Sequence, residues 1–120
     1  MLPEIKNTTF GTIIVGETTY DHDILIRLNG TVEKRKKKLS KAIYGSSHTV
    51  SLDEIKYVFE KDSEGMIIGT GQYGVLELSE EARDFLSRRK CKVTLLPTPE
   101  AIKEWNRKAG KYIGLFHITC

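Results

Sequence analysis

Cysteine, proline and glutamine are scarce in this sequence. Its 120 residues hold two cysteines and three prolines, and glutamine occurs once, at Gln72. Cys91 and Cys120 form neither a disulfide framework nor a metal-ligand spacing, so two reduced thiols and no metal are expected. No apolar run approaches the roughly 18 residues of a membrane span. The opening MLPEIKNTTF lacks the basic start and apolar middle of a secretory signal. A cytoplasmic, membrane-free protein is the expectation. Few glutamines beside abundant lysine and glutamate is the balance of proteins from hot environments.

What is present suits one globular domain, residues 1–120, long enough to bury a single core. Hydrophobic residues make up 39% and charged residues 29%, ordinary values for such a domain. The formal charge of +3 is unevenly spread. Lys34, Arg35, Lys36, Lys37, Lys38 and Lys41 fall within eight positions, and without them 13 cations face 16 carboxylates. Basicity is therefore a local patch on a mildly acidic protein.

Periodicity divides the chain in two. Residues 10–32 alternate with period two: Phe10, Thr12 and Ile14 against Gly11, Ile13 and Val15, with Gly16-Glu17 as a two-residue turn. Ile24, Ile26 and Leu28 alternate with Leu25, Arg27 and Asn29, and Asn29-Gly30 signals another turn. An antiparallel meander follows from this. The second half moves to helical spacing. Ser51 and Glu54 spell a capping box ahead of Leu52, Ile55, Val58 and Phe59. Ser79 caps a second helix, and Thr98-Pro99-Glu100 opens a third with a cap, a proline and an early acid. Short apolar strands at 66–68 and 93–96, and a long one at 112–118, separate these helices. The expected fold is α/β with three helices. A β-hairpin or meander layer packs with a mixed sheet built from the strand-helix-strand-helix-strand unit.

Gly69, Gly71 and Gly74 have the G-x-G-x-x-G spacing of a dinucleotide-binding turn. Val75 to Leu78 intervene before the helix, however, and its start carries Ser79, Glu80 and Glu81, which occupy its amides and repel phosphate. No cofactor is expected. The glycines instead shape a loop leaving the C-terminal end of a strand, where open α/β sheets bind ligands. Thr70 and Gln72 offer hydrogen-bonding groups there, Thr98 follows the next strand at the same edge, and Asn106 ties the third helix to its surroundings.

The runs IIGTG (67–71), TPEAIKEWN (98–106) and GLFHITC (114–120), with Gly45-Ser46-Ser47-His48 ahead of the first helix, resemble a small α/β family. It includes the adipogenesis-associated domain-containing protein and relatives of mitochondrial complex I assembly factor 3. The resemblance covers about Phe10 to Cys120. It implies a mixed sheet with a packed hairpin, no established enzyme activity, and a binding or assembly role. Family members often carry a tryptophan-rich stretch with an arginine before that histidine, where this chain has Lys34-Arg35-Lys36-Lys37-Lys38.

Three functions follow as expectations. The first is a non-enzymatic module that takes a small ligand or protein partner near Gly69, Thr70, Gly71, Gln72 and Gly74, with Thr98, Asn106, His48 and His117 contributing. The second is weak, nonspecific binding of nucleic acid or another polyanion by the basic run 34–41, read as a solvated loop. The third is an enzyme using His48 or His117 as a base. An exposed strand edge also admits a homodimer. Asp21-His22-Asp23 reads as a solvated strand edge, not a metal site.

Overall fold

The computed structural model describes residues 2–120. The period-two start forms β1 (Ile5–Thr9), β2 (Thr12–Val15) and β3 (Thr18–Tyr20), an antiparallel sheet in that order. The first of these strands lies outside the stretch read as β-like from Phe10 onward. Its sequence, IKNTT, turns only Ile5 fully inward, too little apolar alternation to announce a strand.

The next hairpin, β4 (Ile24–Ile26) and β5 (Val32–Lys34), closes at Asn29-Gly30, where the Asn29 side chain accepts from the Thr31 amide at 2.9 Å. This hairpin does not stay with the meander. Its first strand joins β10 (Tyr112–His117) antiparallel, and β10 lies parallel to β7 (Gly65–Thr70), which in turn lies parallel to β9 (Lys92–Leu96). The five-stranded sheet thus runs β5-β4-β10-β7-β9, with the last strand of the chain at its centre. That position explains the nearly unbroken apolar run of β10. The strand expected at 66–68 extends to six residues, and the sheet around it is five strands wide rather than narrow.

Alternation along these strands feeds two cores. Leu25, Met66, Ile68, Ile113 and Leu115 face α2 (Leu52–Val58) and α3 (Glu80–Arg88), packing with Ile55, Val58, Ala82 and Leu86. Ile24, Ile26, Ile67 and Phe116 face the other way, onto Ile5, Ile13 and the inner side of α4 (Thr98–Arg107), where Ala101 and Trp105 are buried. Asn106 fastens this second layer. Its amide accepts from the Ile5 backbone N–H at 2.9 Å and donates to the Ile5 carbonyl at 2.8 Å.

Four helices form, not three. The extra one, α1 (Lys38–Tyr44), grows out of the basic run that reads as a solvated loop, and it ends at a left-handed Gly45. Cations all around a helix argue against packing, yet one buried face suffices. Ser40 provides it, fully enclosed against Ser51 and Glu54. The capping box is half formed: the Glu54 amide donates to Ser51 Oγ at 3.2 Å, while the Ser51 amide donates to Ser40 Oγ. The Glu54 carboxylate is taken elsewhere. A short parallel pair, β6 (Thr49–Val50) with β8 (Glu77–Leu78), completes the architecture.

Candidate functional site

The glycine loop leaves β7 between α4 and the chain segment after β10. Gly71 holds φ at 102°, and a Cβ there would run into the Cys120 carbonyl and come within 2.8 Å of His117 Cδ2. Glycine is therefore required for close approach as well as for conformation. The loop amides are spent internally. Gly71 N–H donates to Thr98 Oγ1 at 2.9 Å, Gln72 N–H to the Thr119 carbonyl at 2.7 Å, and Tyr73 N–H to the Cys120 carbonyl at 3.1 Å. The Gln72 side chain donates to Thr8 Oγ1 and to the Thr9 and Ile118 carbonyls, tying the β1–β2 turn to the end of β10. Thr98 does not cap α4. Its hydroxyl donates to the His117 carbonyl and accepts from Gly71, so it bolts the loop to the central strand.

With its polar groups turned inward, the loop presents hydrophobic ones. Tyr73 is 76% exposed and Val75 is exposed beside it in sequence, while Phe10 at the β1–β2 turn is 57% exposed. The Phe10 and Tyr73 rings stand 6.1 Å apart at a 44° tilt, within the range of a favourable aromatic pair.

His48, His117 and the glycine loop do converge. The two imidazoles meet edge to face with centroids 5.6 Å apart. His117 is buried, with Nδ1 2.7 Å from Asp23 Oδ2 and Nε2 3.3 Å from Thr119 Oγ1. Asp23 already accepts from Arg35 Nη1 at 2.9 Å and from the Ile118 amide at 2.9 Å, so His117 Nδ1 carries the proton it shares with the carboxylate. Burial opposes the charge on Asp23, but the His117 hydrogen bond and charge, the Ile118 amide and Arg35 outweigh it and hold the carboxyl below its ordinary range. Asp23 is thus no solvated strand edge. His22 turns away from this cluster, its Nδ1 2.9 Å from the Asp23 carbonyl.

Behind Asp23 the network continues. Arg35 is only 4% exposed and donates to Glu54 at 2.6 and 3.0 Å and to the Ser47 carbonyl at 2.8 Å. Arg35 accordingly drops out of the polyanion-binding patch, since its guanidinium is committed to the interior. Lys34, Lys36, Lys37, Lys38 and Lys41 remain exposed and, with Arg35, line a concavity of about 510 Å³. Asn106 also stands apart: eight residues along α4 from Thr98, it lies about 12 Å from the loop end of the helix. Gly69, Thr70, Gly71, Gln72, Gly74, Thr98, His48 and His117 do gather at one edge, that of β7 and β10.

Residues 5–112 match the family described as a protein of unknown function, DUF498/DUF598. The chain belongs to that family. Its fold is similar to that of the conserved hypothetical protein PH1505 from Pyrococcus horikoshii OT3, at 31% identity and a TM-score of 0.90 over 98% of this chain and 99% of that one. It is also similar to a protein named MT938, at 30% identity and a TM-score of 0.84 over 98% and 99% of the two chains. A protein from Bordetella parapertussis shares the fold at 16% identity, with a TM-score of 0.74 over 98% and 96%.

Sequence reasoning missed the central acids of this DUF498/DUF598 chain, Asp23 and Glu54. A signal for the first was there. A carboxylate set directly against the fully buried strand Ile24–Ile26 has little room to stay in water. The second signal was the lone arginine among lysines, since a planar fork suits buried carboxylates where an ammonium does not.

Proposed function

We propose that this DUF498/DUF598 chain is a non-enzymatic binding module that docks a protein partner on the Tyr73–Phe10 face of its glycine loop. The observation that carries this is the loop's division of labour: hydrogen-bonding groups locked inward, aromatic rings held outward. A rigid, preorganised tyrosine costs little entropy to immobilise, and aromatic anchors dominate protein interfaces. A small polar ligand, by contrast, would have to displace the bonds that hold the loop to Thr98, Thr119 and Cys120. An enzyme acting through His117 is disfavoured, because both ring nitrogens have partners and the ring is buried. The resemblance of IIGTG and TPEAIKEWN to assembly-factor relatives leans toward the same kind of role. Two unpaired cysteines suit a reducing compartment, in keeping with the cytoplasm.

The test is photo-crosslinking from position 73 in the full chain, with position 103 on α4 as control, alongside sedimentation of the purified protein. Crosslinks from 73 but not 103 are expected. The captured protein, once purified, should bind Tyr73→Ser about tenfold or more weakly than the wild type. A second copy of this chain counts as the partner if sedimentation shows self-association that Tyr73→Ser removes. Association unchanged by both Tyr73→Ser and Phe10→Ser would overturn the reading.

A further inference from the structure

The lysines around the concavity beside α1 have a feature that a merely solvated surface does not need. Lys34, Lys36, Lys37, Lys38 and Lys41 are all exposed, and among the described residues none has a carboxylate within salt-bridge distance. Lys36 instead leans over the Tyr57 ring, 5.1 Å from its centroid. Five like charges crowded without counter-charges repel one another, a cost that interspersed acids ordinarily relieve. Here the nearby acids are engaged: Glu54 and Asp23 by Arg35, and Glu33 by Arg27.

The segment is also held in place. The Arg35 side chain is pinned from below by two carboxylates and the Ser47 carbonyl, and its amide donates to the Asp23 carbonyl at 3.0 Å. The lysines on either side of it are therefore splayed about a fixed point, around the rim of a hollow of about 510 Å³. Three residues separate Lys38 from Lys41 and Lys41 from Tyr44, so these follow one another along neighbouring turns of one side of α1. Tyr44 is 40% exposed, which places a partly bare aromatic ring at the end of the row of ammonium groups.

We propose that this cradle binds single-stranded nucleic acid, with backbone phosphates on the five lysines and a base stacked on Tyr44. The chemistry selects that class. Ammonium groups are point charges that accept any phosphate geometry, and the one guanidinium able to make a bidentate contact is buried. A positively charged groove beside an exposed aromatic ring is the arrangement that follows a single strand without reading its sequence. The site is separate from the Tyr73–Phe10 face, and the two stand or fall independently.

The experiment is fluorescence anisotropy of a labelled single-stranded oligothymidine with the full chain, repeated over a range of salt. Five phosphate contacts to a single strand predict that affinity falls about a hundredfold between roughly 50 and 200 mM salt. Lys36→Gln/Lys37→Gln/Lys38→Gln should cut the salt slope by about 2. Tyr44→Ala should weaken binding about fivefold or more with the slope unchanged. The lysines are exposed and unpaired, so the triple variant should melt at the wild-type temperature or above it. Three results would overturn the assignment: no binding at low salt, binding indifferent to the triple variant, or binding indifferent to Tyr44→Ala. Tighter binding of phosphatidylserine vesicles, polyglutamate or duplex DNA would overturn it too and give the cradle to that ligand.

Discussion

A guanidinium taken out of water recovers its hydration only through its neighbours, and Arg35 recovers it from Glu54, Asp23 and Ser47. Burial works against its charge, but the two carboxylates outweigh burial and hold its pKa above the ordinary value. The reverse dependence is the stronger one. Arg35→Met leaves Asp23 and Glu54 buried without their cation, and we expect a loss of about 3–5 kcal/mol in urea denaturation. The neighbouring Lys36→Gln should change stability by less than about 0.5 kcal/mol. Equal effects at the two positions would show that the sequence neighbours are also structural equals. Asp23 makes a second prediction. Its carboxyl is held below its unfolded value, so its contribution is complete above about pH 4. It is then lost as pH falls through the lower folded pKa. The urea midpoint should drop below pH 4, and Asp23→Asn, though less stable at neutral pH, should show a shallower acid limb. Glu33, held low first by its hydrogen bond to Arg27, remains in that variant and sets the residual slope. An acid limb of unchanged depth would place the protonation elsewhere.

At the level of elements, the glycine loop shows how a binding-site spacing can have a packing cause. G-x-G-x-x-G places Gly71 where the chain after β10 crosses it, and Gly74 where the chain turns away toward β8. Both have positive φ, but only Gly71 has backbone against the missing Cβ; the nearest atom to a Cβ at Gly74 is 3.5 Å away. Gly71→Ala should therefore cost more than about 2 kcal/mol, against about 1 kcal/mol for Gly74→Ala, in parallel melts. Equal losses would mean that conformation alone, not the contact with Cys120, fixes glycine at 71. The same distinction explains what was legible in the sequence. Ser79 reads as a cap and is one, donating nothing and accepting from the Ala82 amide at 3.1 Å, because capping is settled within four residues. Thr98 reads as a cap and is not, because its hydroxyl is claimed by Gly71 and His117, which are 27 and 19 residues away in sequence. Helix α1 was hidden for a related reason: what anchors it is Ser40 on Ser51 and Glu54, a contact that no periodicity within residues 38–44 encodes.

The whole molecule is organised around a strand that is made last. β10 separates β4 from β7, so the antiparallel hairpin of the first half and the parallel strands of the second become one sheet only when residues 112–117 arrive between them. The candidate site inherits this dependence, since Thr98, Gln72 and Asp23 are all tied to the chain at His117 to Thr119. That is why strand types and the two amphipathic cores could be read from local patterns while the site's geometry could not: each site residue is placed by a partner from another third of the chain. Ending the chain after Lys111 tests the point. It deletes Ile113, Leu115, Phe116 and Ile118, all essentially buried, whose burial contributes about 6–12 kcal/mol. That is comparable to the entire stability of a domain, about 5–15 kcal/mol. The truncated chain should show no cooperative thermal transition by circular dichroism, although its helices keep their caps. Adding residues 112–120 back as a separate peptide should restore the transition in proportion to peptide concentration. A truncated chain that still melts cooperatively would mean that one of the two halves holds a core of its own.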